Sequence, residues 1–597
     1  MGKKRILLCY VRLDQIENAQ WDYIGLFYLA GALERRGYAP MVWHGDWRGL
    51  KTIVFEKAPD AVGFSVDAEN QRFIEDLIPA IRELGRAQTG RVPLTMTGGP
   101  QAMALGEAFL RKSGCDFVVR GEGEETLPAL LDAVWSDPDG ATLRDIPGLC
   151  WLDADGRYRE NEGFGVVEDL STLPRPAYHA SLHRRIYGRT VFTGRSCPFN
   201  CAFCASHVGH GRLRTRDMDD VLSEIRENLV REPGIRYIIV QDDTFCINPD
   251  RVSAFCRGMR EIRRERPVVW FCETHVHTLL SNPALLKEMI DSGLYRLQIG
   301  MESGDPRVLR LYNKKVTPDE MLALVKLAVG MGLPEIAGNF IVGGPREEPG
   351  LTERFMRELL RVGAGVVDLN TGFLRSYPFT AISEDPAAFG LRITASDVTA
   401  AGNDYPSVIP VDATEQEIVQ LRQRLNRAIR EEMGRLLEEH AVPTGRVLKQ
   451  LEMNSQYGLS SRWMMELTIP TRAHIHEYYK TLYLGEGQPW PQTPPDPEAM
   501  KCHYPQRTFE FYRSVILSQG VSWLFGMVLS PLEYDLMFYS AGKLSMLQIV
   551  DALWEKYRSA YDSREEFVQM VDHLLRLADE RFWITTFYFE DALPIQR

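Results

Sequence analysis

One short loop constrains this chain more than any other segment. Residues 194–204 read Gly-Arg-Ser-Cys-Pro-Phe-Asn-Cys-Ala-Phe-Cys, which places Cys197, Cys201 and Cys204 in the spacing C-x-x-x-C-x-x-C. Three thiolates on one loop can hold three irons of a 4Fe–4S cluster and leave the fourth iron open. We therefore predict an iron–sulfur cluster at these three cysteines, with one iron position available to a further ligand.

Three other interpretations of the cysteines fit less well. A structural zinc site needs four protein ligands, normally in paired C-x-x-C units, and no second pair follows here. A disulfide framework is not expected in a large chain without a secretory signal. Three unligated thiols are the remaining alternative, because free cysteine is often buried. The spacing and the Gly, Pro and Asn in the loop favour the cluster.

An aromatic residue, Phe203, directly precedes the third cysteine. With this loop the chain resembles the radical S-adenosylmethionine (radical SAM) superfamily. In that family the amino and carboxylate groups of SAM chelate the open iron. The resemblance therefore implies that SAM is a cofactor beside the cluster.

Length and charge set the outer limits of the interpretation. A chain of 597 residues is expected to form three or four domains rather than one core. The net charge is −12 and there is no long basic run, which argues against a nucleic-acid groove. The apolar start at residues 6–11 is too short for a signal peptide, and no apolar run is long enough to span a membrane. We expect a cytoplasmic protein without nucleic-acid or membrane partners.

Residues 1–140 alternate short apolar runs with amphipathic stretches, which is typical of parallel βα units. Strands are predicted at 5–11, 39–44, 60–66, 93–97 and 116–119. In open α/β sheets, ligands bind at the carboxyl ends of the strands. Ser65, Gly98-Gly99 and Glu122 fall at such ends, and a Gly pair lets a backbone approach a ligand closely. A Rossmann-like binding domain is predicted, although a tight turn alone would also explain the Gly pair.

The combination of Gly98-Gly99 with residues 121–124, Gly-Glu-Gly-Glu, resembles the cobalamin-binding domain of one radical SAM class. The resemblance implies that Ser65, Gly98 and Gly99 line the groove for the cobalamin nucleotide tail. It also implies that Glu122 lies near the corrin edge.

The D-x-H-x-x-G motif of methionine-synthase-type cobalamin proteins is absent, because residues 44–46, His-Gly-Asp, have the wrong order and spacing. The lower face of the cobalt is therefore expected to lack a histidine. Arg72 is the candidate for a non-ligating cationic neighbour there. The alternative for Arg72 is a solvent-facing charge on a helix that begins near residue 69.

Residues 141–185 are rich in Pro, Gly and Asp, contain a hairpin-like segment at 149–156, and are interpreted as an interdomain connector. Strands are then predicted near 189–193, 237–242, 269–273, 296–301, 337–342 and 367–373. Six strands alternating with helices over residues 186–375 predict a partial (β/α)6 barrel. In such barrels the chemistry collects at the carboxyl ends of the strands.

Asp242 and Asp243 follow the second barrel strand, where many family members carry a Gly-Gly-Glu motif that holds the SAM amino group. The resemblance implies that one of the two aspartates takes this part. The alternative for Asp243 is a helix N-cap.

Glu273 ends the third barrel strand, and Cys272 alternates to the opposite, packing face. A carboxylate that points into the barrel beside a cluster is a candidate catalytic residue, either as a SAM contact or as a ligand of the open iron. If Glu273 held that iron, SAM could not chelate it and reductive cleavage would be suppressed.

Residues 300–304, Gly-Met-Glu-Ser-Gly, end the fourth barrel strand and resemble the G-x-E-S-G segment of the family. The resemblance implies that Glu302 and Ser303 contact the ribose and carboxylate of SAM. The fifth strand ends in residues 339–345, which resemble the segment that packs on adenine. Ile341 and Gly343 are expected to supply backbone and apolar contacts there.

Residues 376–597 are less regular. A surface helix with i,i+4 charge pairs is predicted at 413–440. The aromatic stretches at 478–479 and 509–512 are interpreted as core rather than as a substrate site. Helices are predicted at 533–539, 546–557 and 564–579, followed by a strand at 582–584. This pattern resembles a small winged-helix unit of peptide-modifying enzymes, and the simpler expectation is a mainly helical cap over the barrel mouth.

A cobalamin domain, a cluster barrel and a helical cap, in this order, resemble the cobalamin-dependent radical SAM enzymes, most of which are methyltransferases of antibiotic or cofactor biosynthesis. The resemblance implies methyl transfer from SAM through methylcobalamin to a carbon centre, with carbon 2 of L-tryptophan as the expected acceptor, and an electron donor as partner. Tyr312 is a candidate substrate contact, and the alternative is that it packs a helix. Alternative functions are radical methylation of an sp3 carbon or a phosphinate, ring formation without net methylation, and a non-catalytic cobalamin sensor.

Overall fold

The computed structural model describes residues 3–588, apart from 12–22, 68–69, 138–140, 183–187, 207–211, 395–404, 458, 460, 468–477, 479–495, 508–514, 519–520, 525–526, 543 and 582. Within the described residues, no helix is both long and apolar enough to cross a membrane.

The first unit is a seven-stranded sheet with helices on its faces. Its strands are β1 (Arg5–Val11), β2 (Ala39–Gly45), β3 (Ala61–Ser65), β4 (Leu94–Gly98), β5 (Phe117–Val119), β6 (Leu149–Leu152) and β7 (Tyr158–Glu160). Its helices are α1 (Ile24–Arg35), α2 (Trp47–Lys57), α3 (Gln71–Thr89), α4 (Pro100–Leu105), α5 (Glu107–Ser113) and α6 (Gly123–Ser136). The strand order is β2-β1-β3-β4-β5-β6-β7, and the first five strands are parallel. All five predicted strands are confirmed.

The position of the ligand crevice follows from this strand order. The chain moves from β1 outward to β2 and then back across β1 to β3, so the order reverses between β1 and β3. In open α/β sheets the crevice lies at such a reversal, outside the carboxyl ends of the strands. Strand β1 is buried from Ile6 to Val11 because helices cover both faces of the sheet.

The segment interpreted as a connector extends this sheet instead. Strand β6 pairs antiparallel with β5, and β7 pairs antiparallel with β6. Leu149 and Cys150 are fully buried, which explains why the hairpin packs onto the sheet. The hairpin itself was predicted correctly, whereas its place in the first sheet was not.

The second unit is built on six parallel strands. Its strands are β8 (Gly188–Val191), the short pair β9 (Gly194–Arg195) and β10 (Arg214–Thr215), β11 (Tyr237–Val240), β12 (Val269–Thr274), β13 (Leu294–Glu302), β14 (Glu335–Val342) and β15 (Val367–Phe373). Its helices are α7 (Met218–Arg231), α8 (Pro249–Glu265), α9 (Val276–Leu280), α10 (Pro283–Asp291), α11 (Pro306–Leu311), α12 (Pro318–Gly330) and α13 (Pro349–Val362). The order β8-β11-β12-β13-β14-β15 confirms the predicted six-stranded partial barrel.

Side-chain caps explain where the outer helices begin. The Asp217 carboxylate accepts hydrogen bonds from the first backbone N–H groups of α7, and Asn248 does the same for α8. Thr317 and Glu320 form a reciprocal capping box at the start of α12. Such caps satisfy backbone donors that the helix itself leaves unpaired.

The remaining elements follow the barrel in the chain. The helices are α14 (Ala381–Glu384), α15 (Glu415–Glu438), α16 (Thr444–Tyr457), α17 (Arg462–Leu467), α18 (Pro497–Cys502), α19 (Pro531–Tyr539), α20 (Met546–Tyr557) and α21 (Arg564–Glu580). The strands are β16 (Leu391–Ile393), β17 (Val408–Pro410), β18 (His503–Arg507), β19 (Val515–Ser518), β20 (Val521–Leu524), β21 (Met527–Leu529) and β22 (Ile584–Tyr588). The three helices predicted near the carboxyl terminus are confirmed, and β22 pairs antiparallel with β18.

Two expectations for this region need correction. Helix α15 is not only a surface helix, because Leu425, Ile429 and Met433 on one face are buried in the barrel core. Helix α16 does not lie over the mouth: Met453 and Tyr457 pack on the amino-terminal ends of the barrel strands. Of the aromatic stretches, residues 479 and 509–512 lie outside the described residues. Tyr478 is partly exposed and stacks on a histidine ring.

Candidate functional site

A cavity of about 670 Å³ lies between the first sheet and the start of the barrel. The first unit contributes backbone and side chains from the carboxyl ends of its strands, and the barrel contributes residues next to the cysteine loop. The predicted site residues that line it are Ser65, Gly98, Gly99, Glu122 and Asp243. Arg195 and Ser196, which immediately precede Cys197, line the same cavity. The fold thus brings the predicted cobalamin crevice and the predicted cluster loop to one space.

Gly98 and Gly99 form a part of the cavity wall that carries no side chains, and we call it the glycine floor. Gly99 has φ +94°, and a Cβ there would lie 2.6 Å from the Val66 carbonyl oxygen, so only glycine fits. At Gly98 the nearest atom to such a Cβ would be 3.5 Å away. The side of Gly98 that a side chain would occupy is therefore open, as close approach of a ligand to the backbone requires.

An aromatic pair at the edge of the cavity was not anticipated. The rings of Tyr10 and Tyr23 stack with centroids 3.8 Å apart, and Tyr23 lines the cavity. The Tyr10 hydroxyl donates to Asp67 at 2.6 Å, which ties β1 to the loop after β3. Single aromatic residues carry no spacing signal, so this pair could not be predicted from the amino-acid sequence.

Arg72 does not join the cavity. It lies exposed on α3, which begins at residue 71, and is not among the lining residues. This placement corresponds to the alternative of a solvent-facing charge on a helix.

Glu122 borders the cavity, but its carboxylate is engaged with the protein. Arg214 donates to its two oxygens at 2.7 and 3.0 Å, and the Val167 backbone N–H donates at 2.6 Å. A guanidinium nitrogen of Arg195 lies 3.2 Å away. The carboxylate therefore joins the two units of the fold, and the place of Glu122 near the corrin edge stays a prediction.

The three cysteines of the loop are half-buried thiols without disulfide bonds. Burial raises the pKa of the Cys197 and Cys201 thiols, that of Cys201 to about 11, while the Lys314 ammonium opposes the shift. The charges of Cys197, Cys201 and Cys204 also affect one another, as expected for groups that share a site. Among the residues that the structure describes, no three His, Cys, Asp or Glu side chains lie close enough together to hold one metal ion.

A turn after α11 holds the cysteine loop. The Ala202 N–H donates to the Tyr312 carbonyl oxygen at 2.9 Å, and Asn313 Nδ2 donates to the Asn200 carbonyl oxygen at 2.7 Å. Phe203 packs edge-on against the Tyr312 ring at 5.0 Å. Tyr312 is fully buried, so the packing alternative holds and the expected substrate contact needs correction.

The two polar side chains of the G-x-E-S-G segment contact different parts of the protein. Glu302, at φ +60°, turns its carboxylate to Lys314, with Oε1 and Nζ 2.9 Å apart. Ser303 is fully buried, and its hydroxyl bonds with Glu347 and Thr352, each at 3.1 Å. Glu302 therefore keeps the predicted place beside the cysteines, whereas the predicted SAM contact of Ser303 needs correction.

The two aspartates after β11 also differ. Asp242 is buried and accepts from the Thr193 N–H at 2.6 Å, from the Thr193 hydroxyl, and from the Gly194 N–H at 3.2 Å. Burial raises the pKa of the Asp242 carboxyl to about 6. Asp242 thus fixes the backbone that leads into the loop, and of the pair only Asp243 lines the cavity.

Glu273 accepts a hydrogen bond from Gln298 Nε2 at 2.6 Å. Burial raises the pKa of the Glu273 carboxyl to about 7, with a further contribution from the charge of Asp243. The same Asp243 charge raises the pKa of the Cys197 thiol, so Asp243 is electrostatically close to both groups. Cys272 is fully buried, in agreement with its predicted packing role.

Both residues expected to contact adenine also pack against other parts of the protein, and their contact with adenine stays a prediction. Ile341 is half-buried and packs with Ala202 and Tyr312 behind the cysteine loop. Gly343 has φ +88°, and a Cβ there would come 3.0 Å from the Ile418 side chain of α15.

The donor set and the cavity fit the implied cofactors. Three thiols on one loop match the three cysteine ligands of a 4Fe–4S cluster with an open iron. A large cavity with a glycine floor at the order reversal of a parallel sheet matches the position where such sheets bind nucleotide-like ligands. The carboxylates of Asp243 and Glu302 are acceptors of the kind that the ammonium and hydroxyl groups of SAM would need.

Two families match the two units. Residues 191–359 match the radical SAM superfamily, and residues 18–131 match the B12 binding domain. An uncharacterised methyltransferase of Pyrococcus horikoshii is 33% identical over 273 residues, covering 44% of this chain and 57% of that protein. The anaerobic magnesium-protoporphyrin IX monomethyl ester cyclase of Cereibacter sphaeroides is 28% identical over 324 residues, covering 51% of each. The chain thus spans little more than half of these curated relatives.

Among solved structures, the radical SAM methyltransferase TsrM from Kitasatospora setae, with tryptophan and a SAM analogue bound, superposes with a TM-score of 0.53 at 19% identity. The match covers 70% of this chain and 83% of TsrM, and at this identity it concerns the fold. The family matches, the three cysteines and the glycine-floored cavity thus assign a radical SAM domain and a B12-binding domain to this chain, with a 4Fe–4S cluster, SAM and cobalamin as cofactors.

Proposed function

We propose that this enzyme transfers a methyl group from SAM, by way of cobalamin, to a carbon centre of a natural-product precursor, and that the acceptor is carbon 2 of L-tryptophan. The supporting observation is the shared cavity, which is lined both by Gly98 and Gly99 and by Ser196 beside the first cluster cysteine. Because both cofactor sites border this space, a small acceptor in it meets both.

Cobalamin, when bound, supplies a cobalt centre that accepts and donates a methyl group, and the cluster supplies an open iron. The protein contributes binding, orientation and exclusion of water. Gly98 and Gly99 leave the floor free of side chains, and Asp243 presents a carboxylate acceptor to the cavity for the ammonium group of SAM. Glu302 and Lys314 hold charges of both signs beside the cysteines.

Glu273 is the candidate guard of the open iron, by which we mean a residue that occupies this iron and keeps SAM from chelating it. A nucleophilic sp2 carbon, such as carbon 2 of an indole, can be methylated in a polar step that needs no radical. A carboxylate oxygen can bind iron, and a carboxylate bound there would keep SAM from chelating it. Support comes from the position of Glu273 on β12, where Gln298 orients the carboxylate at 2.6 Å, and from the charge of Asp243, which raises the pKa of both Glu273 and Cys197.

The acceptor is suggested by the structural neighbour TsrM, whose solved complex contains tryptophan. The corresponding activity is that of the tryptophan 2-C-methyltransferase of thiostrepton biosynthesis. A second candidate is ring formation without net methylation, favoured by the 28% identity to a magnesium-protoporphyrin ester cyclase.

One assay separates these functions. The reconstituted protein is incubated with methyl-labelled SAM, cobalamin, a reductant and L-tryptophan, and methyltryptophan, S-adenosylhomocysteine and 5′-deoxyadenosine are quantified together. We expect 2-methyltryptophan and S-adenosylhomocysteine without 5′-deoxyadenosine. Deoxyadenosine in step with product would place SAM on the iron and contradict the guard role of Glu273. Absence of methyltryptophan would eliminate tryptophan as acceptor.

A matched pair of cysteine variants links the activity to the cluster. Cys201→Ala is expected to lose both iron and methyl transfer. Cys502→Ala removes another half-buried thiol that lies outside the loop, and it is expected to retain both. Equal loss in the two variants would show that the effect comes from general thiol damage.

A further inference from the structure

A buried ion network crosses the boundary between the two units. It contains three arginines from the barrel side, Arg195, Arg214 and Arg216, and the carboxylates of Glu122, Glu124 and Glu224. Glu122 and Glu124 flank the start of α6 in the first unit, whereas Glu224 belongs to α7 in the second. We call these six residues the interdomain network.

Arg195 occupies the central position in this network. It ends β9, two residues before Cys197, and its side chain is only 15% exposed. One guanidinium nitrogen lies 3.2 Å from Glu122 Oε2, and another bonds with Glu124 Oε1. The guanidinium also lies over the Phe192 ring, 4.6 Å from its centroid. The residue that leads into the cysteine loop is thus held by two carboxylates of the cobalamin-binding unit.

Arg214 holds the opposite strand of the same short ribbon. It pairs with Arg195 across β9 and β10, and it contacts both oxygens of Glu122 at 2.7 and 3.0 Å. A bidentate contact of this kind fixes both distance and orientation. The two strands of the ribbon are therefore anchored to one carboxylate at the edge of the cavity.

Arg216 extends the anchoring to α1. It donates to the Tyr28 hydroxyl at 2.7 Å and to the Phe192 carbonyl oxygen at 3.0 Å, and it pairs with Glu224 at 2.7 Å. Tyr28 belongs to the first unit and lines the cavity. The second unit is thus also bound to the first through a residue of α1 that lines the cavity.

Burial makes these contacts unlike ordinary surface ion pairs. The Glu122 and Glu224 side chains are each 2% exposed, and those of Arg214 and Arg216 are 5% and 3% exposed. Removing one partner of a buried pair leaves an uncompensated charge, which is strongly unfavourable. By contrast, Arg212 and Glu168 lie 3.7 Å apart with 82% and 72% of their side chains exposed.

We propose that Arg195 is a positioning residue that fixes the cysteine loop against the cobalamin-binding unit, so that the two cofactors face the cavity at one defined separation. Its guanidinium does not contact the reacting atoms in this role. The inference concerns the arrangement of the cofactors and does not depend on which acceptor the enzyme methylates.

The test measures the separation directly, in the holoprotein without acceptor. After reduction, cob(II)alamin and the cluster each carry an unpaired electron, and pulsed electron paramagnetic resonance reports their spin–spin coupling. We expect a narrow coupling distribution in the native protein and in Arg212→Gln, the exposed control on the same segment. Arg195→Gln is expected to broaden the distribution. Arg195→Lys keeps the positive charge but loses the two-pronged guanidinium group, and it is expected to broaden the distribution less.

Two further measurements distinguish positioning from loss of folding. Iron and cobalamin contents of Arg195→Gln are expected to equal those of the native protein, while kcat falls about 100-fold at unchanged KM, as for misplaced reacting groups. Glu124→Gln is expected to act in the same direction, and the double variant to lose less than the sum of the two. A native coupling distribution in Arg195→Gln would overturn the proposal, and so would simple additivity in the double variant. The coupling distribution is measured without acceptor, so this result does not depend on tryptophan being the acceptor.

Discussion

The Lys314 ammonium nitrogen lies 2.9 Å from Oε1 of Glu302, and both side chains are almost completely buried beside the cysteine loop. The Lys314 charge lowers, and the Glu302 charge raises, the pKa of the Cys201 thiol. Glu302 reaches this place because its backbone adopts φ +60° at the end of β13. The pair thus sets the local charge at the position of a cluster ligand.

The first prediction concerns the reduction potential of the cluster. Reduction adds negative charge beside Lys314, so the ammonium stabilises the reduced form, and Lys314→Met is expected to lower the potential. A tenfold change in the reduced fraction corresponds to about 60 mV for one electron, and we expect a shift of at least this size. The measurement is a potentiometric titration followed by electron paramagnetic resonance.

Lys315→Met provides the control, because Lys315 is the exposed neighbour in the same turn. Its cluster is expected to keep the native potential. Equal potentials in the native protein and Lys314→Met would contradict the assignment of Lys314 as the counter-charge.

The second prediction concerns Tyr312. Its hydroxyl has no hydrogen-bond partner among the described residues, and its ring packs against Phe203 of the cysteine loop. Tyr312→Phe is therefore expected to keep iron content and turnover. Tyr312→Ala removes a buried ring, which typically costs about 3–5 kcal/mol, and is expected to lower iron content after reconstitution. Loss of turnover in Tyr312→Phe with full iron content would restore a role in substrate binding.

The third prediction concerns Asp242. Burial raises the pKa of its carboxyl to about 6 from a usual value of 3.8. Because the folded state binds this proton more tightly, the carboxyl favours the local fold at low pH, and that contribution is lost as the pH rises from about 4 through about 6. A shift of this size corresponds to about 3 kcal/mol.

Hydrogen exchange of the peptide that contains Thr193 and Gly194 measures this effect, since both N–H groups donate to Asp242. After correction for intrinsic exchange, the free energy of local opening is expected to fall between pH 4 and 6 in the native protein. It is expected to stay nearly constant in Asp242→Asn, which does not titrate. The same slope in both proteins would show that another group is responsible.

Sequence patterns predicted the strands of both sheets because many of the strands carry a short apolar run that is buried between helices, such as residues 6–11. They predicted the three cysteines because metal ligands on one loop have a fixed spacing. Side-chain direction was harder to predict. Glu302 and Ser303 are adjacent, yet the Glu302 carboxylate pairs with Lys314, whereas the Ser303 hydroxyl bonds with Glu347. Glu302 has a positive φ angle, and the sequence pattern does not show this angle.

Contacts between residues that are far apart in the chain also could not be predicted from the sequence. The ion pair between Glu124 and Arg195 joins residues that are far apart in the chain, and no local pattern marks either one as a partner of the other. The packing of α16 on the amino-terminal ends of the barrel strands is of the same kind. Its apolar positions predict that one face is buried, but they do not identify the surface that buries it.

The last prediction concerns the glycine floor of the cobalamin site. A Cβ at Gly98 would make only an ordinary van der Waals contact, 3.5 Å from the Val119 carbonyl oxygen, so Gly98→Ala is expected to fold normally and to place a methyl group in the cavity. Cobalamin binding is then expected to weaken by about tenfold or more, because small changes in packed sites cost 1–3 kcal/mol. Equilibrium titration of the apoprotein with cobalamin, followed by absorbance, measures the Kd.

Gly99→Ala and Gly114→Ala complete the comparison. Gly99→Ala would clash with the Val66 carbonyl oxygen at 2.6 Å, so it is expected to lose both thermal stability and cobalamin binding. Gly114 also has a positive φ angle, +65°, but nothing lies within 4 Å of its Cβ position. Gly114→Ala therefore isolates backbone strain, and its Kd for cobalamin is expected to be native. If Gly98→Ala also binds cobalamin with native affinity, the ligand does not approach this floor, and the site must be sought elsewhere along the cavity wall.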